Sequence, residues 1–275
     1  MNTVESIVLG AVQGLTEFLP VSSSGHLVIA QNLFGIREPQ LSFDVAVHLG
    51  TLMAVFIYFR KDIHALTATL MRCFFLILKG RWSELPSRED PDMKWILMIC
   101  AGSIPTAIIG LLFHEISDRL FSSVLLVGIM LSITGILLWF TRGIRKQAKT
   151  MTEFSLLDAV VIGLVQGIAV LPGISRSGST ISTAIYLGVS RETAARFSFL
   201  LSIPAIFGAT LLTAKDMTNE ASFDAATVLF GMLTSGIVGY LALSLLVYIV
   251  NQGRLHYFSP YCWLLGLISV FISMG

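Results

Sequence analysis

The chain has 275 residues, of which 55% are hydrophobic and 13% charged, with a mean hydropathy of +0.80 and a formal net charge of +1. Those values fall outside the range of a soluble domain and read as a polytopic membrane protein, while the near-neutral balance argues for no nucleic-acid partner. Cys73, Cys100 and Cys262 are odd in number and scattered through apolar segments, so they read as packing residues and exclude a disulfide framework.

Val4 to Leu19 is apolar but spans only about 24 Å as a helix, short of a hydrocarbon core of about 30 Å. It carries Gln13 and Glu17, and Met1 to Ser6 has no basic residue, so no cleavable signal peptide is expected. Pro20 removes a donor and turns Leu19 away from helix. Ser22-Ser23-Ser24-Gly25 then forms a polar turn, and His26 to Phe34 a second short helix stopped by Gly35. Two short helices around a polar turn predict a re-entrant hairpin, which is tolerated at membrane depth only where protein or a wet cavity surrounds it.

Phe43 to Phe59 reads as a full span ending at Arg60-Lys61-Asp62. An interfacial helix around Leu70 to Leu78 and a polar loop containing Pro86, Arg88, Glu89, Asp90, Pro91 and Asp92 follow. Trp95 to Phe113 and Leu120 to Phe140 are further spans, and a basic connection carries Arg142, Arg145, Lys146 and Lys149.

The pattern then returns. Gly10-Ala-Val-Gln-Gly14 recurs as Gly163-Leu-Val-Gln-Gly167, Leu19-Pro20 as Leu171-Pro172, and Ser24-Gly25 as Ser177-Gly178. Phe43 to Asp62 has a weaker echo in Phe197 to Asp216, so the chain reads as an internal duplication, residues 1–150 and 151–275 of a single membrane domain. In the second half, Leu156 to Leu187 is the second hairpin, and Phe199 to Thr213, Ala225 to Val250 and Tyr257 to Met274 are spans. The expected fold is all-α, two inverted halves each with one re-entrant hairpin and three transmembrane helices, six full spans within about ten membrane helices.

Charge tests that count. With the amino terminus outside, fourteen cations fall inside: Arg60, Lys61, Arg72, Lys79, Arg81, Arg88, Lys94, Arg142, Arg145, Lys146, Lys149, Arg191, Arg196 and Arg254. Only Arg37, Arg119 and Lys215 fall outside, and Arg176 is left within the membrane. The bias follows the positive-inside rule and favours this orientation.

Ionisable residues at membrane depth are costly and mark function by default; the bland alternative for Glu17 to His26 is a polar helix cap near the surface. Gln13 and Glu17, four apart, share one helix face. Ser22, Ser23, Ser24 and Gly25 lead into a helix start whose free N–H groups favour an anion, and Ser175, Ser177 and Gly178 do the same in the second half. Arg176 adds a planar fork suited to phosphate oxygens, although a structural pairing with Glu17 is the competing reading. Phosphate ester or anhydride hydrolysis needs charge neutralisation, a nucleophile and a proton carrier, roles that Arg176, a serine or a water, and His26 can fill. Glu17 is either a base or a ligand for a divalent cation, with Gln13 as a weak second ligand. His48, inside a span, reads as a hydrogen-bonded core residue, His64 and His256 as surface residues, and His114 as part of an outer loop.

The run Gln13-Gly-Leu-Thr-Glu17-Phe-Leu-Pro-Val-Ser-Ser-Ser-Gly-His26, together with Pro172-Gly-Ile-Ser-Arg-Ser-Gly178, resembles the bacterial undecaprenyl-diphosphatase family, also called the bacitracin-resistance protein family. The resemblance covers nearly the whole chain. It implies removal of the terminal phosphate from undecaprenyl diphosphate, giving the monophosphate carrier of peptidoglycan synthesis and conferring bacitracin resistance. It also implies a divalent cation, Mg²⁺ or Ca²⁺, and a multi-pass protein of the bacterial plasma (inner) membrane; the site is expected to open to the outer, periplasmic side because the first hairpin enters from there. The substrate is then a polyprenyl diphosphate lipid, and a homodimer is compatible with the family. By position the family's acidic pair falls on Gln13 and Glu17, its Ser/His group on Ser22, Ser23 and His26, and its arginine on Arg176. Gln13 is a neutral departure at the first acidic position, which leaves Glu17 as the principal carboxylate and Ser23 as the preferred nucleophile. A phosphatidic-acid-type phosphatase fails as an alternative, because the next histidine after Arg176 is His256. A transporter or flippase of polyprenyl phosphate is the alternative that inverted halves alone suggest.

Overall fold

A computed structural model describes residues 1–36, 41–87, 89–114, 123–144, 149–216 and 224–274. Arg37, Arg88, Arg119, Arg145 and Lys146, five of the cations counted above, lie outside the described residues, as do the side chains of His114 and Lys215. The described residues form eleven α-helices and no named strand; three short 3-10 turns, Trp82–Glu84, Thr141–Gly143 and Leu255–Phe258, join them. The helices are α1 Thr3–Phe18, α2 Ser23–Leu33, α3 Leu41–Tyr58, α4 Arg60–Leu78, α5 Pro91–His114, α6 Val124–Phe140, α7 Leu156–Ile168, α8 Arg176–Tyr186, α9 Arg191–Asp216, α10 Ala225–Asn251 and α11 Ser259–Met274.

Six stretches are long and apolar enough to cross a membrane: α3, α5, α6 with the turn after it, α9, α10, and α11 with the turn before it. Their outward faces carry Leu112, Ile237, Leu267 and Phe271, all largely exposed, the distribution expected where lipid replaces water as solvent. The protein is a multi-pass membrane protein.

Helix boundaries follow from capping. Asn2 and Glu5 form a reciprocal capping box that starts α1, and Ser155 with Asp158 forms the same device at α7. Leu19 is extended as Pro20 requires, and Gly35 closes α2 with a φ of +74°. Three boundaries depart from expectation. Helix α2 begins at Ser23, so Ser23, Ser24 and Gly25 form its first turn instead of a loop before it. Likewise α8 begins at Arg176, with Ser175 capping it by accepting from the Gly178 N–H at 3.2 Å. Helix α9 starts at Arg191, eight residues before the expected Phe199, because the Ser190 hydroxyl accepts from the Thr193 N–H and caps it. Helix α4 is a full helix from Arg60 with no buried residue, and Cys100, expected to pack, is exposed on α5, whereas Cys262 is buried.

The repeated glycines set how closely the helices approach. A Cβ on Gly10 would lie 2.4 Å from the Gly231 carbonyl oxygen of α10, and one on Gly163 would lie 2.1 Å from the Gly102 carbonyl oxygen of α5. Small residues at such crossings allow backbones to touch, which drives helix association where lipid removes the hydrophobic incentive. As a result α1 is seated on α10 and α7 on α5, with the ends of both helices directed to one central region.

Candidate functional site

Each short helix of the first and second pairs ends in a polar turn, and the two turns meet. In the first turn Ser22 has a φ of +68°, alone among the described non-glycine residues in having a positive φ. A strained serine of this kind costs on the order of 1–3 kcal/mol and persists only when its surroundings over-determine it. Its hydroxyl accepts from the Gly173 N–H at 3.1 Å, and its carbonyl accepts from His26 Nδ1 at 2.8 Å. In the second turn Gly173 has a φ of +97°, and a Cβ there would lie 2.4 Å from the Val127 carbonyl oxygen. Thr134 of α6 ties this turn down, donating to the Gly173 carbonyl and accepting from the Ser175 N–H, both at 3.1 Å.

Across the junction, Arg176 Nη2 donates to Glu17 Oε1 at 2.8 Å, and the Ser177 hydroxyl donates to the Phe18 carbonyl at 2.8 Å. Glu17 is the centre of the cluster. The Ser23 hydroxyl donates to its Oε2 at 2.7 Å, Gln13 Nε2 donates to the same oxygen at 3.1 Å, and His48 Nε2 lies 3.9 Å away. The ion pair is nearly buried, with 15% of the Arg176 side chain and 7% of the Glu17 side chain exposed. Arg176 Nη1 is buried without a hydrogen-bond partner among the described residues, so one face of the guanidinium fork is free for an anion.

These groups lie at the polar end of a cavity of about 830 Å³. Glu17, Ser22, Ser23, Ser24, Ser175 and Arg176 line it, together with His48. The rest of the lining is mainly apolar, from Ala107 and Leu111 of α5, Val170 after α7, and Ile206 and Leu211 of α9. Gln13, Gly25, His26, Ser177 and Gly178 are not part of the lining. Ser177 is instead fully buried against Phe18, and Gly178 packs on Pro20.

The two histidines exchange the places expected for them. A carbonyl only accepts, so His26 Nδ1 must carry a hydrogen toward Ser22, and the neutral ring then accepts from the Tyr261 hydroxyl through Nε2 at 2.7 Å. His26 thus braces the strained Ser22 backbone and stands behind the cavity. His48 likewise donates from Nδ1 to the Asp44 carbonyl at 2.7 Å, and its Nε2 lies 3.9 Å from Glu17 Oε2. The depth rule that singled out Glu17 applies equally to His48; the signal was present in the sequence and was read as packing.

Gln13 and Glu17 are hard oxygen donors, and Gln13 Oε1 is buried with no partner among the described residues. That fits a cation of the Mg²⁺ or Ca²⁺ type, of which the former is commonly held by one or two carboxylates and substrate phosphates. No group of three or more His, Cys, Asp or Glu with metal-ligand spacing occurs among the described residues.

Residues 6–268 match the family model described as bacitracin resistance protein BacA. The chain belongs to that family. An undecaprenyl-diphosphatase of Desulfosudis oleivorans is 52% identical over 278 residues, covering 100% of both chains. One from Desulforapulum autotrophicum is 50% identical over 98% of each chain, and one from Carboxydothermus hydrogenoformans is 44% identical over 97% of this chain and 96% of its own. Identity extending over the full length brings the BacA-family match to both turns of the site and to every helix that positions them.

Proposed function

We propose that the protein is an integral-membrane undecaprenyl-diphosphatase, hydrolysing undecaprenyl diphosphate to undecaprenyl phosphate and inorganic phosphate and so recycling the lipid carrier of peptidoglycan synthesis. The observation that carries the reading is that Ser23 and Arg176 bond to the same Glu17 carboxylate at the polar end of a mainly apolar cavity. A polar head and an apolar tail need such a cavity, and its volume lies in the usual range of about 300–1,000 Å³ for small-molecule sites. A carrier that only moved the lipid would need the guanidinium but not a hydroxyl bonded to a carboxylate.

The free Nη1 of Arg176 takes an oxygen of the terminal phosphate and stabilises the charge that builds on it. Glu17 accepts the Ser23 proton as Oγ attacks phosphorus. The new Oγ–P bond forms as the bridging P–O bond breaks, and undecaprenyl phosphate leaves with the bond electrons. Water then attacks the phosphoserine, phosphate departs and the proton returns to Ser23. His48, beside Glu17, receives or supplies that proton. A divalent cation held by Glu17 and Gln13 would neutralise further phosphate charge.

The supporting frame is an inverted duplication in which α1–α2 and α7–α8 are re-entrant pairs entering from opposite sides, within one domain of two halves, residues 1–150 and 151–275. The charge bias supports placing the first pair on the outer, periplasmic side of the plasma membrane, with the site open there. Thiol labelling of Lys79→Cys and Asp224→Cys from outside intact cells tests this: only Asp224→Cys is expected to react, and the opposite pattern discards the orientation.

The deciding assay is release of inorganic phosphate from a polyprenyl diphosphate by purified protein in detergent, with loss of turnover on chelation. Ser23→Ala is expected to lose about 10²–10⁴-fold, the range for removing a positioned proton-transfer partner. Retention of the rate by that variant would assign the attack to water activated by Glu17.

A further inference from the structure

Away from the catalytic cavity, Arg142 and Arg191 lie where the turns after α6 and α10 meet the start of α9, and Arg254 belongs to the second of those turns. Arg142 lies over the Trp139 ring, its guanidinium carbon 4.0 Å from the ring centroid. Arg191 lies against Gly253: a Cβ there would be 2.9, 3.0 and 3.2 Å from its Nη1, Cζ and Nη2, so the guanidinium is laid flat on the glycine. Its Nη2 donates to the Ile144 carbonyl at 3.1 Å, and its Nε is buried without a partner. Arg254 follows Gly253 and is exposed. His256 joins the groups, stacking edge-on with Trp139 at 6.4 Å and with Tyr257 at 4.8 Å.

No carboxylate among the described residues pairs with any of the three arginines. The neighbouring acids are engaged elsewhere: Asp158 holds Lys149, Asp62 holds Arg196, and Glu192 faces a separate cavity with Lys61 and Arg196. A general positive-inside bias scatters cations and does not orient them. Here two guanidiniums are packed by their faces, one on an indole and one on a glycine, which leaves the N–H edge of Arg142 and the unpartnered Nε of Arg191 for an acceptor. Trp139 lies under Arg142, Trp263 packs on Trp139 and Tyr257 on His256, and such amphipathic rings settle at the headgroup level of a bilayer.

We propose that Arg142, Arg191 and Arg254 form a binding site for the phosphate of an anionic glycerophospholipid, seated beside Trp139 and Tyr257 at the face that the charge bias assigns to the inside. Basic pockets between membrane helices on that side suit anionic headgroups. A bound lipid would join α6, α9 and the turn between α10 and α11. This site is independent of the diphosphatase reading; only its assignment to the inner leaflet rests on the orientation given above.

The test is thermal unfolding in nanodiscs, which present both leaflets. The wild-type protein is expected to melt about 5 °C higher in phosphatidylcholine discs doped with phosphatidylglycerol than in phosphatidylcholine alone. It should also carry phosphatidylglycerol through purification, read by native mass spectrometry. The triple variant Arg142→Gln, Arg191→Gln, Arg254→Gln should lose both effects, while a control of equal charge, Arg60→Gln, Arg72→Gln, Lys79→Gln, keeps them. The exposed Arg142→Gln alone should lose part of the shift and serves if the triple variant does not fold. Equal loss in the control would reduce the effect to diffuse surface charge and overturn the site, as would an undiminished shift in the triple variant. The same shift from inorganic phosphate in phosphatidylcholine discs would replace the lipid with a free anion. Phosphate-release turnover in phosphatidylcholine should be unchanged in the triple variant, which separates this site from the catalytic one.

Discussion

The two polar turns have a similar order of residues and differ in nearly every ionisable or hydroxyl group they carry. Ser22-Ser23-Ser24-Gly25 lies opposite Ser175-Arg176-Ser177-Gly178, so the proposed nucleophile Ser23 of one turn corresponds to the cation Arg176 of the other. Glu17 falls opposite Ala169 and Val170, and His48 opposite Ser202, whose hydroxyl only donates to the Phe199 carbonyl. The second turn has one residue more between its proline and serine, and Gly173 in that interval donates to Ser22. Helix α8 is buried along its length, with Thr180 and Ser198 sharing a hydrogen bond of 2.6 Å, whereas only Leu27 and Gln31 of α2 are buried. Two similar turns do not suffice, because a single site needs opposite charges. The second half presents a packed platform for one arginine, and the first presents the carboxylate, the hydroxyl and the imidazole.

The largest effects should come from separating the charges. Arg176→Ala is expected to lower phosphate release by about 10³-fold or more, since it removes the anion's donor and strands a buried carboxylate. Arg176→Lys, which keeps the charge but not the fork, should recover only part; full turnover by both variants would show that the second turn is merely structural. Next, the counterpart pair His48 and Ser202 should behave unequally. His48→Gln should lose about 10²-fold if it carries the Glu17 proton, and Ser202→Ala should change the rate by less than about twofold. Equal losses would mean that both are packing positions.

The seats of the two frames offer a stability comparison. Gly10→Val and Gly163→Val should each destabilise by about 1–3 kcal/mol, read as lower melting temperature in detergent, because each Cβ meets a backbone carbonyl that a rotamer change cannot move. Smaller than the losses at Arg176 and His48, the effect of Tyr261→Phe on turnover should be a fall of about two- to tenfold, the loss of one hydrogen bond of about 0.5–1.5 kcal/mol that positions His26. Substrate affinity should hold in that variant, since neither His26 nor Tyr261 lines the cavity; a rise in KM without a fall in kcat would put His26 in contact with the substrate.

Apolar length and proline made the spans and the short helix pairs legible, because a membrane segment must satisfy its own backbone and its length is set by the bilayer. Helix starts were less legible. A run of serines reads as a turn because hydroxyls compete for backbone hydrogen bonds, yet Ser23 and Arg176 each open a helix: the Ser175 hydroxyl caps α8, whereas α2 starts without a side-chain cap and its Ser23 hydroxyl donates to Glu17. His26 lies inside the recognisable motif and His48 outside it, yet it is His48 that lines the cavity, because which side chain faces it depends on how the helices pack.

The order of residues by itself determined a multi-pass helical protein with two polar interruptions, and it named Glu17, Ser23 and Arg176, because charges and hydroxyls are too costly in lipid to be incidental. Only the tertiary structure decided that Glu17 and Arg176, 159 positions apart, share a hydrogen bond, and that His48 faces the carboxylate while His26 braces a strained serine. Those outcomes depend on how closely glycine-bearing helices approach and which way each side chain then points. Neither quantity is a property of any local stretch of chain.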